Sequence, residues 1–218
     1  MPLISIITPS IRPEGLKVVQ ECLSKQTIQD FEWLTEIGIP PKNDLSAALN
    51  RMLKRATGKW VVMLQDYIKI PDDGLEQFLK VADEKKLITG AGGKTTDWEN
   101  IKWDWRATQG FRQVDYLQWE GDWAIAPLQA FKDVGGYDEE YDKHWSFDNV
   151  ELAFRLSKIG YTFWILPTNK SIHFDHDKFT KHPFRERWNP DFHNNNIRNI
   201  EMGNKKIKLN YLNKYEIQ

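Results

Sequence analysis

The sequence predicts an α/β fold in which a mostly parallel central sheet is flanked by helices. Short apolar runs rich in β-branched residues alternate three times with segments whose apolar residues recur at helical spacing. Proline and aspartate stand where the helices should begin, and glycine where the second should end. With 218 residues, 40% of them hydrophobic, the chain can bury one sizeable core and reads as a single domain.

Leu3 to Thr8 is a buried strand that gives way to a loop at Thr8-Pro9-Ser10. Pro13 suits the first turn of a helix whose Leu16, Val19, Cys22 and Leu23 face inward. Phe31 to Ile37 is a second strand, closed by Gly38-Ile39-Pro40-Pro41. Asp44 then caps a helix with Leu45, Ala48, Leu49, Met52 and Leu53 on one face, ending near Gly58. Trp60 to Leu64 is a third strand that runs into Gln65-Asp66-Tyr67, and Pro71-Asp72-Asp73 opens a helix with Leu75, Phe78, Leu79 and Ala82 inside. Lys94 to Gln118 breaks the alternation and reads as a long loop or hairpin. The pattern resumes with a strand at Trp123 to Pro127, a helix from about Asp148 to Ile159 and a strand from Tyr161 to Leu166. Ligands of such open sheets bind beyond the carboxyl ends of the strands, which nominates the loops Thr8 to Arg12, Ile37 to Asp44 and Gln65 to Lys69.

Thirty Lys and Arg against 31 Asp and Glu give a net charge of −1, which argues against broad electrostatic capture of nucleic acid or an anionic membrane. The single cysteine, Cys22, falls in an apolar helical pattern and can form neither an intramolecular disulfide nor a thiolate cluster. No segment approaches the roughly 20 apolar residues of a membrane span, so a cytoplasmic chain is expected. Of ten tryptophans, Trp98, Trp103 and Trp105 lie in a polar stretch, where a surface groove explains them better than a core does.

The densest feature is Gly135-Gly136-Tyr137-Asp138-Glu139 followed by Trp145-Ser146-Phe147-Asp148-Asn149-Val150-Glu151-Leu152 and Arg155. It sets carboxylates at the mouth of a helix, past a glycine turn and beside a tryptophan. Asp138 and Glu139 suit the shaping of the loop. Upstream, Trp119, Glu120 and Asp122 bracket Gly121, and a tryptophan beside carboxylates suits a pyranose, whose C–H face stacks on the ring. Beyond Pro167 the chain turns polar, with His173, His176 and His182 close together.

Four landmarks stand in one order: Ile4-Ser5-Ile6-Ile7-Thr8-Pro9-Ser10; Gln26-Thr27 before Phe31-Glu32; Asn50 with Ala56-Thr57-Gly58-Lys59; and Gly135 to Glu139 with Asp148 and Arg155. In these the chain resembles the family 2 glycosyltransferases of the GT-A fold, over roughly Pro2 to His176. The resemblance implies a glycosyltransferase domain over 1–176, its nucleotide-sugar half 1–93 and its acceptor half 94–176, with 177–218 as an extension packing on or near the site. It implies a nucleoside diphosphate sugar donor, UDP-linked by preference, and a carbohydrate or glycosylated acceptor. Thr8, Pro9, Ser10 and Arg12 would hold the nucleoside with Glu36 or Asp44, Asn50 would face the nucleotide, and Gln65 and Asp66 would lie at its phosphates.

The family's Asp-X-Asp appears here as Gln65-Asp66-Tyr67, so one carboxylate stands where the pattern has two. The implied metal site is Asp66 with His173 and His176, a set better suited to Mn²⁺ than to Mg²⁺ because imidazole is the softer ligand. The other reading makes the histidines a solvated turn and leaves the phosphates to Lys69, Arg112 or the basic tail. Inverting transfer needs a carboxylate base; the resemblance, which places the family's first acidic residue at this distance before Arg155, implies Asp148, with Glu151 second and simple helix capping as the bland role. Asn149, at the family's second acidic position, cannot take a proton. Trp119, Glu120, Asp122 and Trp145 would meet the sugar or the acceptor. Gln65, Tyr67 and Asn149 in place of acids also motivate an alternative: a catalytically inactive nucleotide- or carbohydrate-binding module.

Overall fold

Ile4, Ile6 and Ile7 are all fully buried, so the first strand, β1 (Ile4–Ser10), is covered on both faces, as an unbroken apolar run requires. The computed structural model describes residues 1–11, 13–38, 44–143 and 147–174, together with 201, 202 and 205. Within them β1 is flanked by β2 (Phe31–Ile37) and β3 (Trp60–Leu64), both parallel to it. The crossovers are the helices α1 (Pro13–Leu23) and α2 (Leu45–Arg55), while α3 (Gly74–Val81) follows β3 and the short β4 (Ile68–Lys69).

Along the second half run β5 (Lys86–Thr95), β6 (Lys102–Trp103), β7 (Arg112–Val114), β8 (Trp123–Pro127), α4 (Leu128–Val134), α5 (Asp148–Lys158) and β9 (Thr162–Phe174). The nine described strands form one sheet in the order β2-β1-β3-β8-β5-β9-β4, with β6 on β5 and β7 on β9. This is the α/β architecture the sequence predicts, with three departures. β8 runs antiparallel between β3 and β5, and α4 and α5 follow it before the chain returns as β9. β5 is a ten-residue strand despite its Gly90-Ala91-Gly92-Gly93 core, and β9 continues through Pro167 to Phe174.

One irregularity accounts for both of those. Leu166 pairs with Gly90 but Lys170 with Ala91, so residues 167–169 bulge out of the ladder. A Cβ on Gly90 would collide with the Asn169 carbonyl and the Trp123 ring. The Asn169 side chain accepts from Trp123 Nε1 at 3.1 Å and donates to the Gly74 carbonyl at 2.9 Å, which fastens the bulge to α3.

Alternation along β3 sorts the core into two layers. Val61 and Met63 pack with Leu49, Met52, Phe131, Leu152 and Leu156 from α2, α4 and α5. Val62 and Leu64 pack with Val19, Leu23, Leu75 and Phe78 from α1 and α3, and with Trp123. Met202 packs against a smaller cluster around Tyr141 and Phe147; nearly all the rest of the expected 177–218 extension lies outside the described residues. No helix among the described residues is long and apolar enough to cross a membrane.

The glycine turn after α4 is where the second half is tied to the first. Gly135 and Gly136 adopt φ of 76° and 82°, a region a side chain rarely enters. Asn50, in the middle of α2, reaches this turn: its Oδ1 accepts from Tyr137 N at 2.8 Å, and its Nδ2 donates to Tyr137 O and to Glu139 Oε1, both at 2.9 Å. Arg155 of α5 holds the other side, donating to Val134 O at 2.6 Å and Gly136 O at 2.9 Å while Glu151 grips its guanidinium at 2.6 and 2.7 Å.

A Cβ on Gly136 would collide with Asn50 Oδ1. Gly136→Ala therefore strains the backbone and displaces Asn50, and should cost about 2–4 kcal/mol. Asn50→Ala, which strands both polar groups of Tyr137's backbone, should cost about 1–3 kcal/mol. Urea unfolding checks both, as a lowered midpoint with an unchanged slope.

Candidate active site

The carboxyl ends of β1 and β3 open into a cleft of about 300 Å³, part of it open to solvent. Its floor and one wall are apolar, from Ile7, Leu45, Leu49, Met63 and Leu64. Pro9, Gln65, Gly121, Tyr137, Asp148 and Asn149 complete it. The strand termini thus meet the first turns of α2 and α5, where the topology of an open α/β sheet places a ligand.

Asp148 enters the cleft as the first residue of α5. The residue before it, Phe147, takes φ 76° and ψ −12°, which costs a non-glycine residue about 1–3 kcal/mol. Burial of the Phe147 ring, stacked on Tyr141 with centroids 6.2 Å apart, holds it there. Burial raises the Asp148 carboxyl from its ordinary 3.8 to about 6, against the backbone N–H groups of Asn149 and of Asp148 itself, and Asp142 and Glu151 add repulsion. A carboxyl at that value is mostly ionised at neutral pH yet basic enough to accept a proton. Tyr137 Oη donates to Asn149 Oδ1 at 3.2 Å and lies 3.3 Å from Met63 Sδ. Burial, then the Asp148 charge, pushes the phenol well above its ordinary value, so it remains a neutral donor.

A second group of charges adjoins the cleft beside Gly121, and sequence reasoning finds only part of it. Arg106, 3% exposed, donates to Asp104 Oδ2 through Nε at 2.8 Å and to Thr89 Oγ1 at 3.0 Å, and lies 3.4 Å from Glu120 and 3.8 Å from Asp122. His173 Nε2 is 3.4 Å from Asp122 Oδ2. Desolvation and the Asp122 charge raise Glu120 to about 7. Against its own desolvation, Asp122 is held below its ordinary value by His173 and Arg106. His173 is lowered by burial, against the pull of Asp122. An arginine inside a polar stretch carries no sequence signal of burial; Arg106 meets its partners only when β5, β8 and the turn at Trp105–Thr108 assemble.

The expected site residues divide sharply. Pro9, Gln65 and Asp148 line the cleft. Thr8 accepts from Trp33 Nε1 at 2.9 Å, and Ser10 donates to Asp66 Oδ2 at 2.7 Å, so the β1 loop is tied to the Asp66 carboxylate. Glu36 is engaged by Arg51 and Arg55 at 3.1 and 3.2 Å, and Asp44 by Arg51 at 3.3 Å. Asn50 is committed to the glycine turn instead of facing a nucleotide, which accounts for its place in mid-helix. Glu151, 5% exposed, is spent on Arg155 and does not line the cleft. Trp119 is also corrected: at 3% exposure, against Phe163, its ring belongs to the core and offers no face to a sugar. Arg12, Trp145 and His176 lie outside the described residues.

Among the described residues no three His, Cys, Asp or Glu side chains gather to hold an ion. Asp66 takes the Ser10 hydroxyl and His173 faces Asp122, so the expected pairing of Asp66 with His173 is not assembled. Asp66 stands as a single hard carboxylate, which fits a divalent ion only if phosphate oxygens and water supply the other ligands.

Because the folded carboxyl of Asp148 holds its proton more tightly than an unfolded one, wild-type stability should fall as pH rises from about 4 through about 6, and stay at the lower level above. Asp148→Asn removes that loss. It should be more stable than wild type by about 1–3 kcal/mol at pH 8 and indistinguishable from it near pH 4. Thermal unfolding across that range reads the difference, and parallel curves for the two proteins would contradict the assignment.

No family model matches the chain. Among curated proteins it is 26% identical over 156 residues to the succinoglycan biosynthesis protein ExoA of Rhizobium meliloti (strain 1021), covering 63% of this chain and 45% of that protein. It is 25% identical over 180 residues to a probable N-acetylgalactosaminyltransferase 9 of Caenorhabditis elegans, covering 67% of this chain and 30% of the other. The chain thus spans less than half the length of these relatives. Among solved structures, S. aureus TarS 1-349 in complex with UDP superposes with a TM-score of 0.62 at 14% identity, over 81% of this chain and 62% of that one. GalNAc-T7 with UDP, GalNAc and Mn²⁺ gives 0.59 at 11%, over 79% and 44%. One relative is thus named as a probable glycosyltransferase, and both structural neighbours are complexes with UDP. The chain has the GT-A fold, and its sequence resembles the family 2 glycosyltransferases.

Proposed function

We propose that this chain transfers a sugar from a nucleoside diphosphate sugar to a carbohydrate or glycosylated acceptor, with inversion at the anomeric carbon. The observation that carries the reading is Asp148: one carboxylate at a helix start, inside the cleft at the carboxyl ends of the strands, with its pKa raised to about 6. The TarS complexes with UDP and UDP-GlcNAc, and the GalNAc-T7 complex with UDP, support a UDP-linked donor.

The donor lies along the ends of β1 and β3, its nucleoside against Thr8, Pro9 and Ser10 and its diphosphate toward Gln65 and Asp66. Asp148 accepts the proton of the acceptor hydroxyl as that oxygen forms its bond to the anomeric carbon from the face opposite the diphosphate. The bond from that carbon to the diphosphate oxygen breaks, and the nucleoside diphosphate departs with the electron pair. The amide of Asn149, held by Tyr137, orients groups beside the base without competing for the proton. A divalent ion, Mn²⁺ before Mg²⁺, would be held by Asp66 together with the diphosphate and would offset the charge growing on the leaving group. The Mn²⁺ of the GalNAc-T7 complex supports this.

Transfer from UDP-sugars, measured with and without Mn²⁺ and with the product anomer read by NMR, tests the reaction. Activity should rise with pH through an apparent pKa near 6. Asp148→Asn should lose about 10²–10⁴-fold in kcat while still binding UDP. Glu151→Gln should loosen the Arg155 clamp, lower stability and, by removing a neighbouring negative charge, move the apparent pKa slightly down. UDP binding without turnover by wild type for any donor would overturn the reaction and leave a nucleotide-binding module. Full activity in Asp148→Asn would overturn the base.

A further inference from the structure

We propose that one face of the β5–β9 region is a binding track for an acidic glycan, a chain of sugars bearing carboxylate or phosphate groups. As the acceptor's class, this rests on the glycosyl-transfer reading above. Three cations stand in register with alternate residues of β5. Arg112 pairs with Ile165, itself opposite Thr89; Lys170 pairs with Ala91; and Lys69 pairs with Ile172, itself opposite Gly93. Alternate residues of a strand share a face, so the three cations, carried on β7, β9 and β4, line one side of the sheet and step by about 7 Å along the strand direction. Each lies over a tryptophan: Lys69 Nζ is 4.1 Å from the Trp98 ring centroid, Lys170 Nζ is 4.9 Å from that of Trp103, and Arg112 Cζ is 5.9 Å from that of Trp105.

Trp103 and Trp105 are 37% and 42% exposed, an arrangement that burial does not explain. Among the described residues none of the three cations is in an ion pair. A tryptophan offers a flat apolar surface to the C–H face of a pyranose, and a cation at the ring meets an acidic substituent on that sugar. Repeating the pair across three neighbouring strands suits a chain that repeats both features.

The track is continuous with the cleft. Arg106 follows Trp105 in the same turn, donates to Thr89 Oγ1 on this face at 3.0 Å, and reaches Glu120 and Asp122 on either side of Gly121 in the cleft wall. Leu87, two residues before Thr89, packs in the same layer as the cleft residues Leu49, Met63 and Tyr137. A glycan on the track would therefore run toward the side of the sheet that carries Asp148. Aromatic and cationic groups also suit single-stranded nucleic acid, but a chain of net charge −1 does not draw a polyanion of that charge density from a distance.

The test is a binding titration of the full chain with tetragalacturonate, its methyl ester, a phosphorylated maltotetraose and a short single-stranded oligonucleotide. At least one acidic sugar should bind about tenfold more tightly than the neutral ester at low salt and lose that advantage at high salt. The tighter of the two names the acid. Lys170→Gln, and Trp103→Ala with Trp105→Ala, should each weaken acidic-sugar binding about tenfold while UDP binding holds, as expected for loss of one charge-assisted contact or a stacking surface. Equal binding of acid and ester, tightest binding of the oligonucleotide, or variants that bind the sugar like wild type would overturn the track. If acidic sugar binds with this dependence while UDP does not bind, the track stands and the glycosyl-transfer reading falls.

Discussion

The second half of the molecule is oriented by a turn that neither of its flanking helices could hold alone. Gly135 and Gly136 reverse the chain after α4, and the backbone on either side of them is taken up from opposite sides, Tyr137 by Asn50 from α2 and Val134 and Gly136 by Arg155 from α5. Both clamping side chains are themselves restrained, the first by burial and the second by Glu151. Asp142 extends the tie to the start of α2, where its carboxylate accepts from the backbone of Ser46 and Ala47 at 2.6 and 2.8 Å. The two walls of the cleft, the first turn of α2 and the first turn of α5, are thus spaced by hydrogen bonds of fixed length. A cleft built on apolar contacts alone would tolerate sliding; this one does not.

Charge around the cleft is arranged on the same economy. The carboxylates of Asp104, Glu120 and Asp122 converge on Arg106, whose own guanidinium is buried. That arginine lets two acidic residues sit on either side of Gly121. Glu36 and Asp44 are drawn off in the same way by Arg51 and Arg55 on the outer side of α2. Among the described residues, Asp148 is the one carboxylate lining the cleft, and its value is set mainly by burial.

These arrangements were unequally legible in the sequence. Helical and alternating periodicity report which face of an element is buried, so β1 to β3 with their helices, and the placing of Asp148 at the head of α5, follow from pattern alone. An apolar run such as Trp123–Pro127 reads the same in either direction, and the antiparallel sense of β8 appears only when its neighbours are known. β5 carries four small residues where a strand normally shows bulk, because Gly90 yields its space to Trp123 and Asn169 from other elements. For the site, residue type alone could not separate Asp148 from Glu151, or Trp119 from Trp103: each pair shares its chemistry and differs in burial and partners. Asn50 is the instructive case. Its poor helix propensity calls for a reason, and the reason is a turn 87 residues away.

The replacement of the second acid by Asn149 gains a physical meaning from Tyr137. The tyrosine hydroxyl, kept neutral by burial and by the Asp148 charge, donates to Asn149 Oδ1 and fixes which end of the amide points at the protein. A carboxylate at that position would bring a second negative charge next to Asp148, and mutual repulsion would raise both proton affinities, coupling the two titrations. With an amide there, the first turn of α5 keeps a single ionisable group in the cleft. The cost is that no neighbouring acid can share the proton. The proton affinity of this aspartate therefore rests first on burial, with a smaller lift from Asp142 and Glu151, and the buried, strained Phe147 that precedes it sets where α5 begins.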